Sequence, residues 1–332
     1  MPSRALVALV ALSLTAVACG GGGGVTGPSQ GPAAVTSSFT GLVFYDENRD
    51  GVLGSDERVR LPGVQMVVGS QTGSSDATGA VTVSGLPTGP QTLSIQIESL
   101  PPYFEPGRLP SVTLPLAVGA VVPVPVILAT GANHPNRYLA FGDSITNGAG
   151  SHGRQGWATP LARRLQAQWG AGEVIADGIY GSRSIDGVTR LPAVLARERP
   201  AFTLLLYGTN DWTRCQFEAP EACYTVPALR DMIRITRDAG GLPVVGTIIP
   251  VNPDFPEMSA VERNEWVRLE NQQIRPMVLQ EGAVLAESWL AFGPTQSLWP
   301  DLFFDHAHPN DDGYARIAEA FFQAITRSRG AQ

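Results

Sequence analysis

The chain contains no lysine: all 23 of its basic residues are arginine. That absence excludes a P-loop lysine, a pyridoxal Schiff base and a Ser-Lys dyad, each of which needs a titratable amine. Histidine is nearly as scarce, and only His134, His152, His306 and His308 could serve as a base of ordinary near-neutral pKa. Charged residues make up 16% of the chain and the formal charge is -7, so nothing in the charge balance points to nucleic acid or to adsorption on anionic lipid. Cysteine occurs three times. Cys19 closes an apolar run, which suggests processing. Cys215 and Cys223 share one polar segment, which suggests a bridge.

What is present is segmented. Residues 1–18 carry Arg4 and then an apolar run, 5–17, broken by Ser13 and Thr15. Its length suits a secretory signal and is short for a membrane span. Ala16-Val17-Ala18-Cys19 resembles a bacterial lipoprotein signal. The resemblance implies that Cys19 is lipidated and holds an exported chain at the cell envelope; the alternative is plain cleavage after Ala18. Residues 19–37 are rich in glycine, proline, serine and threonine and carry no charge, so they read as a flexible tether.

Residues 38–130 change character. Short β-type runs at 39–45, 64–68, 80–84, 92–97, 112–116 and 121–128 are separated by glycine and proline, with no helical stripe between them. This pattern predicts a small antiparallel β-sandwich. Within it, residues 46–57 place Asp46, Asn48 and Asp50 at loop positions one, three and five. Gly51 stands at six, Val52 at the backbone-carbonyl position and Glu57 at twelve. Hard oxygen donors at that spacing predict a Ca2+ loop, and the segment's five acids against one arginine (net -4) would repel one another without a cation. The alternative is a solvated acidic turn. Gly41-x-Val43-Phe44-x-Asp46-x-Asn48-x-Asp50-Gly51, Leu61-Pro62-Gly63-Val64 and Gly85-Leu86-Pro87-x-Gly89 resemble the calcium-bearing B-type repeats of bacterial surface adhesins. That resemblance implies a transthyretin-like spacer or presenting module without chemistry of its own.

From residue 136 to 330 the pattern becomes βα. Apolar runs at 138–141, 174–176, 202–207, 242–249 and 283–286 alternate with amphipathic stretches at 157–169, 188–199, 226–239, 259–281 and 312–327, with Pro276 expected to bend or end the fourth. An α/β domain follows, its parallel sheet covered on both faces in the flavodoxin-like order 2-1-3-4-5. Gly142-Asp143-Ser144 ends the first run, placing a serine at the carboxyl edge of the sheet, where open α/β sheets bind ligands.

A serine hydroxyl needs a base to take its proton and a third group to orient that base. Asp305 and His308, three positions apart, can meet across one turn. A metal cluster of Asp305, His306, His308 and Asp311 is the weaker rival, lacking a further set of separated ligands. Gly178, Gly181 and Asn210 offer uncharged donors for a developing oxyanion. Trp212, Tyr180, Trp299, Phe303 and Phe304 flank these segments and suit either an acyl or sugar pocket or ordinary packing.

Gly142-Asp143-Ser144-Ile145-Thr146, Gly181, Gly208-Thr209-Asn210-Asp211 and Asp305-x-x-His308 resemble, in order, the four blocks of the SGNH (GDSL) hydrolase superfamily. The resemblance implies an SGNH hydrolase fold with Ser144 as nucleophile, His308 as base and Asp305 orienting it. It implies an oxyanion hole formed by Ser144, Gly181 and Asn210. Asp177 stands where asparagine is frequent in the second block. The reaction so implied is ester hydrolysis, on O-acylated glycans or acyl lipids, by a monomer that needs no catalytic cofactor. The rival from another class is a non-enzymatic carbohydrate-binding module on the same fold.

Overall fold

The computed structural model describes residues 36–215, 223–294 and 297–331. The signal segment, Cys19 and almost all of the tether lie outside them. Strand β1 (Thr36–Tyr45) begins at Thr36, so the last two tether residues already belong to a sheet.

The first half of the described chain is all β. Strands β2 (Gln65–Val68), β3 (Gln71–Ser74), β4 (Ala80–Pro87), β5 (Gly89–Gln91), β6 (Leu93–Ile95), β7 (Phe104–Pro106), β8 (Val112–Leu114) and β9 (Val122–Leu128) join β1. They form sheets ordered β4-β1-β9-β7, β3-β2-β6 and β5-β8. In β4, Val81, Val83 and Leu86 are buried while Thr82 and Ser84 face out, the alternation of a sheet with one wet face. One expectation is corrected here. Strands β1 and β9 pair in parallel, from Gly41 opposite Val122 to Tyr45 opposite Val126. Alternation reports which face is buried and carries no information on strand direction. The short strands β3, β5 and β7 escaped the sequence reading because segments such as Gln71-Thr72-Gly73-Ser74 have no apolar pattern; pairing with a neighbour makes them strands.

The second half is α/β. Strands β10 (His134–Gly142), β11 (Glu173–Gly178), β12 (Pro200–Leu206), β13 (Leu242–Gly246) and β14 (Val284–Ala286) pair in parallel in the order β11-β10-β12-β13-β14, the flavodoxin-like order expected. Every residue of β12 is buried, as a strand covered on both faces requires. The pleat sorts β10 into two layers. Tyr138 and Ala140 join the core formed by α2 (Ala158–Trp169) and α6 (Asp311–Thr326). Leu139 and Phe141 join the core of α3 (Ser184–Glu198), α4 (Thr225–Asp238) and α5 (Ala260–Gln280). Pro276 does not end α5, which runs on to Gln280. Among the described residues, no helix is long and apolar enough to cross a membrane.

The two halves share one core. The Phe104 ring meets Trp169 edge-on at 5.7 Å, and the Tyr103 hydroxyl donates to the Pro243 carbonyl at 2.7 Å. Arg329 donates to the Phe104 carbonyl at 2.6 Å, and the Asn136 amide donates to Glu47. Asn136 and Pro243 lie near the starts of β10 and β13. The all-β half therefore packs against the amino edge of the parallel sheet, leaving the carboxyl edge clear.

Candidate active site

At that carboxyl edge, β10 stops and Ser144 becomes the first residue of the short helix α1 (Ser144–Asn147). The Asp143 side chain caps α1 by accepting the Ile145 N–H at 2.9 Å. The neighbouring strand end is pressed against this turn. A Cβ on Gly178 would stand 2.3 Å from the Asn147 nitrogen and 2.4 Å from the Asp143 oxygen, so glycine is there for close approach.

The loop before α6 brings the other two groups. Asp305 Oδ1 accepts the N–H of Ala307 at 2.8 Å and of His308 at 2.7 Å. Asp305 Oδ2 lies 2.8 Å from His308 Nδ1, and His308 Nε2 lies 2.9 Å from Ser144 Oγ. A carboxylate can only accept at Nδ1, so the proton sits there and Nε2 faces the hydroxyl as an acceptor. Burial works to raise the Asp305 pKa, but the two N–H bonds and the imidazole together hold it below the ordinary carboxylate value.

Asn210 lies beside Ser144 in the same cavity, of about 240 Å³. Its Nδ2 donates to the Ser182 carbonyl at 3.0 Å and to Asp143 Oδ2 at 3.2 Å. Gly181 occupies an exposed turn at φ +68°, a conformation that favours glycine, and is not among the residues lining the cavity. Among the described residues the N–H of Gly181 has no acceptor. Of the flanking aromatics, Trp212 lines the cavity, Phe303 packs on Phe292, and Tyr180, Trp299 and Phe304 are exposed.

Three further groups support the site; Arg190 has no motif to announce it, and Asp143 and Asp211 stand inside the blocks of Ser144 and Asn210. Arg190 on α3 donates to the Gly142 carbonyl at 2.7 Å and to the Asp177 carbonyl at 2.9 Å, pairs with the Asp177 carboxylate and lies 3.9 Å over the Phe141 ring. It ties the ends of β10 and β11 together, and Arg197 adds a second bond to Asp177 at 2.8 Å. An aspartate in place of the usual asparagine is thus matched by two arginines on α3. Asp211, buried, accepts the Ser184 N–H at 3.0 Å and the Thr225 hydroxyl at 2.9 Å, joining the starts of α3 and α4. Asp143 is buried too. Loss of hydration, with Asp211 nearby, pushes its pKa up to about 7.

Cys215 and Cys223 are joined by a disulfide just after this segment. Asp311, part of the rival metal set, instead accepts the His152 N–H at 2.8 Å. In the acidic loop, Asp46 and Glu57 are buried; Asp46 accepts the N–H groups of Asp50 and Gly51, and Glu57 those of Glu47 and Gly54. This all-oxygen donor set suits Ca2+. As the side chains stand, no group of three or more Asp, Glu, His or Cys converges as a metal site among the described residues.

The profile of the GDSL-like lipase/acylhydrolase family matches residues 140–316. Esterase TesA of Pseudomonas aeruginosa is 36% identical over 89 residues, which are 27% of this chain and 44% of the relative. The chain thus spans less than half the length of that curated relative. A GDSL-like lipase of Bacteroides thetaiotaomicron is 19% identical with a TM-score of 0.47, over 57% of this chain and 87% of the other. An acetylxylan esterase of Geobacillus stearothermophilus is 21% identical with a TM-score of 0.48, over 58% and 95%.

Proposed function

Since this chain belongs to the GDSL-like lipase/acylhydrolase family, whose profile covers more than half of its 332 residues, we propose that it is a serine-dependent carboxylic-ester hydrolase. The observation that carries the reading is the unbroken relay from Asp305 through His308 to Ser144, at 2.8 and 2.9 Å. In the first step His308 Nε2 takes the hydroxyl proton as Ser144 Oγ adds to the ester carbonyl. The tetrahedral intermediate collapses, and the leaving alcohol receives that proton from His308. Water then adds to the acyl-enzyme with His308 again as base. A carboxylic acid leaves and Ser144 regains its proton. Asp305 stays ionised and steadies the imidazolium.

The oxyanion forms beside the start of α1, where the Ser144 N–H has no partner within the helix. The Gly181 N–H and the Asn210 amide are its other proposed donors. For Asn210 the bond to give up is the longer one, to Asp143. The cavity is small and lined mainly by polar groups such as Thr209, Asn210, Thr213 and His306. That lining favours a short acyl group on a polar alcohol, such as an O-acetylated sugar, over a long lipid chain.

The same proposal makes the protein an exported monomer anchored through Cys19. In the acidic loop, Asp46, Asn48, Asp50, Glu57 and the Val52 carbonyl would hold Ca2+. Two buried carboxylates in one loop support that reading, since a cation relieves their repulsion.

Hydrolysis of p-nitrophenyl acetate, butyrate and octanoate by wild type and Ser144→Ala tests the enzyme reading. Acetate is expected to turn over fastest, and activity is expected to vanish in the variant. Activity surviving without Ser144 would overturn the mechanism. Octanoate turning over fastest would overturn the short-acyl assignment.

A further inference from the structure

Arg263, near the start of α5, forms part of the wall of the cavity that holds Ser144, Asn210 and His308. Several arginines in the fold face acids, among them Arg137 with Glu173, Arg190 with Asp177, Arg268 with Glu265 and Arg275 with Glu287, while Arg60 and Arg329 donate to backbone carbonyls at 2.7 and 2.6 Å. Arg263 lines the cavity and, among the described residues, has neither an acid nor a short carbonyl contact. Its guanidinium makes one long contact, 3.5 Å to the Thr209 carbonyl, and among the described residues no carboxylate forms an ion pair with it. It is also half-buried, and loss of hydration alone holds its pKa below the ordinary guanidinium value. A cation partly stripped of water and lacking an acid is unfavourable unless something else supplies the anion. Its five donors form a planar fork suited to a carboxylate, sulfate or phosphate. A second basic side chain, His306, lines the same cavity.

We infer that Arg263 reads a negative charge on the substrate: the ester cleaved at Ser144 carries an anionic oxygen group that docks on the Arg263 guanidinium. This rests on the hydrolase reading and narrows its substrate class to acidic esters, for example acylated sugars bearing a carboxylate or sulfate.

The test compares kcat/KM within matched pairs. Phenyl acetate against 4-acetoxybenzoate and 4-acetoxybenzenesulfonate places the charge on the alcohol side. p-Nitrophenyl butyrate against mono-p-nitrophenyl succinate places it on the acyl side. Wild type is expected to favour the anionic member of one pair. Arg263→Met is expected to lower that anionic-to-neutral ratio by roughly 10- to 100-fold, the scale of a charge-assisted bidentate contact. Arg263→Lys, which keeps the charge and loses the fork, should recover part of it. A ratio unmoved by Arg263→Met, or no anionic preference in wild type, would overturn the inference while leaving the Ser144 mechanism standing. Calorimetric titration of benzoate into Ser144→Ala protein reads anion binding without turnover. Binding there should weaken in the Ser144→Ala/Arg263→Met double variant, and equal binding in the two proteins would overturn the inference. If no ester were turned over in a Ser144-dependent way, the hydrolase reading would fail, and this titration would still decide whether Arg263 holds anions.

Discussion

The all-β half and the parallel sheet bury the same kinds of aliphatic and aromatic side chain and differ in what they do with polar ones. In the all-β half the polar groups close local structure: Asp46 and Glu57 accept loop N–H groups, and Ser75 bridges Val64 and Leu61. At the carboxyl edge of the parallel sheet they are left facing a cavity, with Ser144 and His308 bonded to each other and Arg263 facing no acid. A parallel sheet supplies this because all its strands end on one side, so residues far apart in sequence converge there. An all-β region with strands running both ways has no such common edge. On the proposed reading, chemistry belongs to the parallel-sheet half and support to the all-β half.

Removing the chemical half's own groups should have the largest effect. Ser144→Ala or His308→Ala is expected to lower kcat on p-nitrophenyl acetate by about 10⁴-fold or more, with the melting temperature nearly unchanged. Asp305→Asn should fall in the range of roughly 10²- to 10⁴-fold, because the imidazole loses its ionised acceptor.

The next effect tests whether the halves are separable. Trp169 is 2% exposed and touches Phe104 across the shared core. Trp169→Ala should cost about 3–5 kcal/mol. Circular dichroism and tryptophan fluorescence should report one common melting transition in wild type and variant alike. Two separate transitions in wild type would break the shared-core account and return the all-β half to an independent spacer.

A smaller effect lies in pH. Asp143 and Glu270 both have their pKa pushed up to about 7, chiefly by burial. An acid whose folded pKa is raised binds its proton more tightly folded than unfolded, so stability is highest at low pH and is lost as pH rises toward 7. Asp305 works in the opposite direction: its lowered pKa adds stability that is lost as pH falls through the folded value. Asp143→Asn, which keeps a helix-capping side chain, should therefore flatten the decline in melting temperature between about pH 4 and pH 7. An unchanged slope would remove Asp143 from the account.

The smallest expected effect is on the supporting half. Calcium against chelator should raise the melting temperature by a few degrees at most, and Asp46→Asn should abolish the rise. A melting temperature unmoved by calcium would leave the loop held by its N–H bonds alone.

How much was legible in the sequence follows the same division. The βα succession and the flavodoxin-like strand order were readable because short apolar runs alternate with amphipathic stretches along the chain. Ser144 was readable as a candidate from the short block Gly142-Asp143-Ser144-Ile145-Thr146, and Asp305 and His308 from their three-residue spacing. Arg190 and Arg263 were not. Each lies inside an ordinary helical stretch, and what singles it out is an atom remote in sequence, the Gly142 carbonyl 48 positions away for one and the Thr209 carbonyl 54 positions away for the other. The parallel pairing of β1 with β9 was hidden for a related reason, since strand direction depends on the whole connection between them and not on either strand.

On the proposed mechanism the Ser144 Oγ is the atom acylated by substrate. Mixing the protein with excess p-nitrophenyl acetate, quenching within a turnover and mapping peptides by mass spectrometry tests it directly. An acetyl group is expected on the peptide containing Ser144 and is expected to be absent from the Ser144→Ala protein, whose hydrolysis also stops. Turnover continuing undiminished in Ser144→Ala, or acetyl found only on other residues, would contradict it.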